Sequence, residues 1–308
     1  MAKIISITGD LGSGKSTVSN LLCKQLNYEY VCTGKIQREI AHRHNMTTLE
    51  LNEYSETHPE IDEEVDNTFK SLSGSDNLIV DSRLAWFFIP KSFKVFLKTN
   101  LIISANRILE DNQRGKERYS SKGDAVDKII ARKASENRRY LEIYGANCSD
   151  LSNFNLIIDT SFITTERIAD IILTEYKAWI VSNECSKSFI SPTNLYPTQP
   201  IHGFENEYFK SIQNNMNLHG YDLNYPILAV HINSFDYIFD GHKRTSCAIK
   251  NNIDLIPAVF ENENRCFSKE LTYKEHILNS IKQSLFYDWE DFNSFTYLIY
   301  PTIQGLQK

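Results

Sequence analysis

The 308-residue chain predicts an α/β fold: a mainly parallel sheet with helices on both faces over its first part, joined to a smaller α+β domain. Three observations predict it. Short apolar runs at 4–8, 78–81, 93–97 and 156–159 alternate with longer charged segments, the rhythm of β-α-β units. A glycine-rich turn separates the first run from the first helical pattern, as a strand-to-helix crossover requires. Beyond residue 181 the pattern lapses into a polar stretch, 182–188, followed by Pro192, Pro197 and Pro200. That lapse marks a boundary near residue 187 and predicts domains of 1–186 and 187–308.

The first strand, at 3–8, runs into Gly9-Asp10-Leu11-Gly12-Ser13-Gly14-Lys15-Ser16-Thr17, which fits G-x-x-x-x-G-K-[ST], and a helical pattern follows over 18–26. Strand, loop and helix in that order are the context in which this motif is a phosphate-binding P-loop. Glycines let backbone N–H groups surround a nucleotide's phosphates, Lys15 reaches the terminal ones, and Ser16 suits Mg²⁺. Gly9, Gly12, Ser13, Gly14, Lys15, Ser16 and Thr17 form the expected ATP-binding set, and the motif alone accepts ATP or GTP.

A second strand is expected just before Thr33, a third ends at Asp81, and the later apolar runs supply the fourth and fifth. The helix closing this part is read at 165–181, where Ile168, Ile171, Ile172, Tyr176 and Trp179 recur at helical spacing as core residues. In the second part, 226–232 and 237–239 read as strands, 243–251 as a helix, 256–260 as a returning strand and 273–285 as one amphipathic helix. An aromatic tail follows with Phe286, Tyr287, Trp289, Phe292, Phe295, Tyr297 and Tyr300, expected to pack on its own domain. The sequence has no internal repeat and no low-complexity segment.

Composition is that of a globular protein, with 41% hydrophobic and 23% charged residues. A net charge of −6 argues against non-specific binding to nucleic acid, which needs a basic face. The six cysteines are scattered without C-x-x-C pairs, so they read as reduced structural thiols. Neither a cleavable leader nor a run of 18 apolar residues is apparent, and a cytoplasmic protein without membrane contact is expected. Homo-oligomerisation is left open.

A phosphoryl-transfer site for a small phosphate-bearing acceptor has to neutralise several phosphates at once. Arg38 follows the second strand and Arg83 follows the third, where such folds place ligand-facing residues. Arg107, Arg114, Arg118, Arg132, Arg138 and Arg139 form a later cluster. For Arg114 and Arg118 taken alone, a solvated helical face is an equally good account. Asp81 is expected to share Mg²⁺ with Ser16. No strong base is required, because a nucleoside monophosphate is already an anionic nucleophile.

The P-loop, then Thr33-Gly34-x-Ile36-x-Arg38, then Asp81-Ser82-Arg83-Leu84-Ala85-Trp86, then Lys94-x-Phe96-Leu97, then Arg132-Lys133-x-Ser135-Glu136-x-x-Arg139-Tyr140 resemble the cytidylate kinase family in its short, archaeal-type branch, over roughly residues 1–180. The resemblance implies that Thr33, Arg38, Arg83 and Arg139 meet the acceptor monophosphate and that Glu136 recognises the pyrimidine nucleoside. It also implies that Arg107 and Arg132 belong to a lid over the transferring group. Lys15, Asp81, Arg107, Arg132 and Arg139 are the catalytic candidates, with ATP as donor, Mg²⁺ as cofactor and small nucleotides as partners. Two departures stand out: Asp10 places a carboxylate in the phosphate loop, and Lys133 replaces an acidic residue usual after that arginine. They leave open a modified or deoxy pyrimidine nucleotide, or a non-nucleotide acceptor.

In the second part, Asp240-Gly241-His242-Lys243-Arg244 follows a short strand and opens a helix. Gly241 permits close backbone approach, the helix start supplies N–H groups, and His242, Lys243 and Arg244 are expected as cationic donors to an anion, with Gln199 nearby. A simple Asp240 helix cap is the plainer reading. Preceded by Tyr196-Pro197-Thr198-Gln199-Pro200, the box resembles the ParB/sulfiredoxin superfamily over about residues 190–260. That resemblance implies a second nucleotide or phosphate site. His242 stands where sulfiredoxin carries its cysteine, so redox repair is disfavoured; the arginines of partition proteins are absent after Arg244, so chromosome partitioning is disfavoured too. Three readings result: a monophosphate kinase with a second nucleotide-binding domain, catalytic or regulatory; a kinase of a small hydroxyl compound acting through the ParB-like domain; and a nucleic-acid-associated nucleotide-binding protein, which the acidic balance opposes.

Overall fold

The computed structural model describes residues 3–46, 50–51, 54, 58–110, 119, 121–182 and 185–301. Arg114 and Arg118 lie outside the described residues. In chain order the elements begin with β1 (Ile4–Gly9), α1 (Lys15–Leu26), β2 (Glu29–Cys32), α2 (Thr33–Arg43), α3 (Pro59–Ser71), β3 (Leu78–Asp81), α4 (Ala85–Phe88) and β4 (Phe93–Lys98). Next come α5 (Leu101–Glu110), α6 (Lys122–Tyr144), β5 (Leu156–Asp159) and α7 (Thr165–Ser182). The remainder holds β6 (Lys187–Ile190), β7 (Leu195–Tyr196), α8 (Glu207–His219), β8 (Ile227–Ile232), β9 (Phe235–Asp240), α9 (His242–Lys250), β10 (Ile256–Glu261), α10 (Tyr273–Ser280) and α11 (Gln283–Asn293).

These elements group into two compact units. The first comprises residues 1–98, 135–156 and 163–186; the second comprises 99–134, 157–162 and 187–308. A boundary thus falls between Ser186 and Lys187, while α5 and the first half of α6 group with the later part of the chain.

The first unit is an α/β layer structure on a parallel sheet of order β2-β3-β1-β4. All of β1 is buried, because its run of Ile4, Ile5, Ile7 and small residues is covered on both faces, as a central parallel strand must be. The registers Ile7↔Asp81 and Cys32↔Asp81 bring the carboxyl ends of β1, β3 and β2 to one edge. That edge is where open α/β sheets bind ligands. Behind it, Phe93 packs with Tyr176 and Trp179 at ring-centroid separations of 5.4–6.1 Å, which places two of the helix-patterned core residues as expected.

The second unit has a mixed sheet in the order β5-β6-β10-β8-β9-β7, with β10 antiparallel to β6 and parallel to β8. Asn233, at φ +57°, starts the tight turn that pairs β8 with β9. The aromatic tail does pack on this unit: Tyr297 stacks on Tyr196 with centroids 4.5 Å apart, and Phe286 and Trp289 are fully buried.

Three local expectations change. Residues 273–285 form two helices, since Ile281 and Lys282 are extended; Ile281 is buried at the break and α11 restarts its own phase with Leu285, Phe286 and Trp289 inward. β6 was not apparent because one of its two inward positions is Ser188. Helix α8 was not apparent either; its start is capped by Asn206, whose side chain accepts from Phe209 N at 2.9 Å.

Candidate functional site

At the end of β1 the chain turns through Gly9, Gly12 and Gly14, all at positive φ (+147°, +72° and +83°). Gly14 caps α1 without any side-chain cap bond, so the first-turn N–H groups of Lys15 and its successors point toward the loop. Lys15 Nζ donates to Gly9 O at 3.1 Å and to Asp10 O at 2.8 Å, which folds the ammonium across the loop.

Asp81, at the end of β3, meets this loop. Ser16 Oγ donates to Asp81 Oδ2 at 3.2 Å, and Tyr30 OH donates to the same oxygen at 3.0 Å. Burial, reinforced by the Asp81 charge, raises the Tyr30 pKa, so the phenol stays a neutral donor. The expected metal pair is therefore together, with hard oxygen donors of the kind Mg²⁺ prefers. Among the described residues no group of three or more His, Cys, Asp or Glu side chains is arranged to hold a metal. A cation here would thus rely on Ser16, Asp81, substrate phosphates and water.

Arg83, two residues beyond Asp81, joins the same place from beyond the end of β3. Its Nη1 donates to Gly9 O, the atom that also accepts from Lys15, and its Nε pairs with Glu136 Oε2 at 3.1 Å. Arg83 O in turn accepts from Trp86 Nε1 at 3.0 Å, which fixes the turn that aims the guanidinium. Tyr140, one turn beyond Glu136 on α6, feels the charges of Glu136, Arg83 and Arg139, although burial is the main cause of its raised pKa. Cys148 lies in the same field; burial pushes it up to about 11 and keeps it a thiol.

Thr33 and Arg38 belong to α2, which begins directly at the end of β2. Lys35, Arg38, Glu39, His42 and Arg43 line an open cavity of about 640 Å³ on that helix. Arg139 is exposed on α6. Tyr30 is the contributor that sequence reasoning missed, since a tyrosine in a strand carries no functional signal of its own.

The two remaining lid candidates fall in the second unit. Arg132 is exposed on the first half of α6. Arg107 is held by the loop after β5: its Nη2 donates to Thr160 O at 2.7 Å and to Ser161 O at 3.4 Å. Beneath that loop, Asp159 is 3% exposed and accepts from Ser161 N, Ser161 Oγ, Ser191 N and Asn194 Nδ2 at 2.5–3.3 Å.

The second expected phosphate site is only partly as read. Gly241 takes φ +103°, and a Cβ there would lie 2.6 Å from Ile227 Cγ2, so glycine is required. Arg244 Nη2 donates to Asp240 Oδ2 at 3.0 Å, and Lys243 Nζ sits 5.7 and 5.6 Å from the Phe204 and Tyr208 ring centres. Gln199 is exposed. His242 is not the expected cation: its ring is buried, and Nε2 accepts from Thr198 N at 3.1 Å. Burial pushes its pKa down to about 4 against the opposing pull of Asp240, so the imidazole is neutral and holds the 196–200 segment.

The description "AAA domain" fits a family model matching residues 5–139. A cytidylate kinase of Sulfolobus acidocaldarius is 37% identical over 172 residues, covering 55% of this chain and 91% of the relative. One from Methanocaldococcus jannaschii is 35% identical over 174 residues, covering 55% and 94%. An S-adenosylmethionine-dependent nucleotide dehydratase of Lacinutrix mariniflava is 33% identical over 201 residues, covering 64% of this chain and 39% of that protein. The last match extends further along this chain than the first two, consistent with a second domain.

Proposed function

We propose, for a chain that belongs to the cytidylate kinase family, that it transfers the terminal phosphoryl group of ATP to a pyrimidine nucleoside monophosphate of the cytidylate or deoxycytidylate type. One observation carries this reading: Lys15 from the phosphate loop and Arg83 from the end of β3 converge on a single acceptor, Gly9 O. That convergence supports Lys15 as the donor-side cation and Arg83 as the acceptor-side cation of one transfer. Catalysis then consists of positioning and charge neutralisation.

In this reading the loop N–H groups and Lys15 hold the donor phosphates, while Arg83, with Arg38, Thr33 and Arg139, holds the acceptor phosphate. Glu136 orients Arg83 and presents its carboxylate to the nucleoside. Ser16 and Asp81 would hold Mg²⁺, which when bound would supply charge neutralisation of the donor phosphates. The test is a screen of ATP and Mg²⁺ against nucleoside monophosphates and small hydroxyl compounds. Cytidylate-type acceptors should react, and Lys15→Ala should abolish the reaction; activity that survives Lys15→Ala sinks the reading.

The reading also assigns residues 1–186 to the kinase domain and 187–308 to a ParB-like domain with an anion site at the start of α9. Gly241, the uncapped helix start and the cations Lys243 and Arg244 support it. Asp240→Ala, assayed for loss of a separate nucleotide-binding event, tests that site; unchanged nucleotide binding argues for scaffolding.

A further inference from the structure

Within the second unit, a cleft of about 600 Å³ lies at the carboxyl end of α9, at the opposite end of that helix from the Asp240 box. Its walls include Phe162, Asn194, Asp254, Phe295 and Leu298. Phe162 and Leu298 are each 45% exposed, so apolar surface is held open to solvent there. A volume of this size accommodates a nucleoside-sized molecule.

The charges around the cleft select against phosphate. Lys250 also lines it, but its ammonium donates to Phe292 O and sits 4.1 Å from the centre of the Phe292 ring. The end of α9 contributes the negative pole of its dipole, and exposed Asp254 adds a carboxylate. The aromatic walls of Phe162 and Phe295 beside the Asp254 carboxylate suit a flat heterocycle that carries an amino group.

The Asn194 wall of the cleft is linked to the loop that holds Arg107. Asn194 Nδ2 donates to Asp159 Oδ2 at 2.7 Å and to Ser161 Oγ at 3.0 Å, and Asn194 Oδ1 accepts from Asn100 Nδ2 at 2.9 Å. Ser161 O and Thr160 O are the acceptors that hold the Arg107 guanidinium, and Phe162 follows directly in the cleft wall. A molecule that displaces Asn194 or Phe162 therefore disturbs the mount of Arg107.

We propose that this cleft is a binding site for a neutral nucleoside bearing an exocyclic amine, and that its occupancy acts through Asn194 on the 159–162 loop that holds Arg107. Neither the binding nor this link rests on the kinase reading. The test titrates the full chain calorimetrically with cytidine and with adenosine, without turnover. Saturable binding of either is expected, weakened at least tenfold by Asp254→Ala and by Phe295→Ala, and retained in Glu136→Ala, whose lesion is in the acceptor pocket. Saturating nucleoside should also slow amide hydrogen exchange in residues 159–162 at least threefold in the wild type and not in Asp254→Ala. No saturable binding, or binding lost in Glu136→Ala and kept in Asp254→Ala, overturns the site; unchanged exchange in 159–162 overturns the link to the Arg107 mount. Failure of kinase turnover alongside intact nucleoside binding would sink the kinase reading and leave the site standing.

Discussion

Arg83 and Glu136 form an ion pair, Nε to Oε2 at 3.1 Å, in which neither side chain is more than 28% exposed. The pair is shielded from water more than a surface salt bridge, so removing one member leaves a poorly solvated charge. Because Arg83 also reaches Gly9 O, Glu136 sets the direction of a guanidinium shared with the phosphate loop. Arg83→Met should lower kcat/KM for the acceptor by about 10²–10³-fold, the loss typical of one preorganised charge-stabilising donor. Initial rates at saturating ATP measure it. An effect confined to the KM for ATP would contradict an acceptor role.

The shared oxygen of Asp81 makes a separate prediction. Ser16 Oγ and Tyr30 OH both donate to Oδ2, so Asp81 is oriented by two elements before any cation arrives. Asp81→Asn should raise the Mg²⁺ concentration needed for half-maximal activity by about tenfold or more. Tyr30→Phe, which removes only an orienting bond, should produce a smaller shift of the same sign. Activity titrated against Mg²⁺ at fixed ATP reads both, and a Tyr30→Phe effect larger than that of Asp81→Asn would reverse the assignment.

The phosphate loop was legible in the sequence because its chemistry lives in the backbone, and only glycine at Gly12 and Gly14 gives that backbone its positive φ. Asp81 and Arg83 were legible as residues at the end of a strand, for the β-α-β rhythm places such positions on one edge. What was not legible depends on tertiary approach. Nothing local in β2 announces that Tyr30 will reach Asp81, and nothing in the Asp240 box announces that Thr198 will cover His242. Ser188 hid β6 for the same reason, since a serine turns inward only when a neighbouring strand closes over it.

His242 carries a pH consequence. Burial lowers its pKa from the ordinary 6.5 to about 4, so the unfolded chain binds the extra proton across that window and the folded chain does not. Stability is therefore full above about pH 6.5, falls as pH drops toward 4, and changes no further from this group below it, with a total of about 3 kcal/mol. Thermal melts at pH 7.5 and pH 5.0 should show the second unit losing stability at the lower value. His242→Gln should be less stable at pH 7.5 and should lose much of that pH dependence. Equal pH slopes in the two proteins would assign the loss to other groups.

Gly9 and Gly14 occupy the same motif for different physical reasons, and a pair of substitutions separates them. Both need positive φ, which costs an L-residue about 1–2 kcal/mol. At Gly14 an added Cβ meets nothing within 4 Å, so Gly14→Ala should cost no more than that backbone strain. At Gly9 the Cβ would fall on the main chain of Leu97, with Leu97 N only 2.7 Å away, where β4 pairs against β1. Backbone cannot swing aside as a side chain can, so Gly9→Ala adds overpacking to strain, about 3 kcal/mol or more in all. Denaturant unfolding of the two variants measures the difference. If Gly9→Ala were no less stable than Gly14→Ala, the close strand approach would not be the reason for glycine at the head of the loop, and phosphate contact alone would have to account for it.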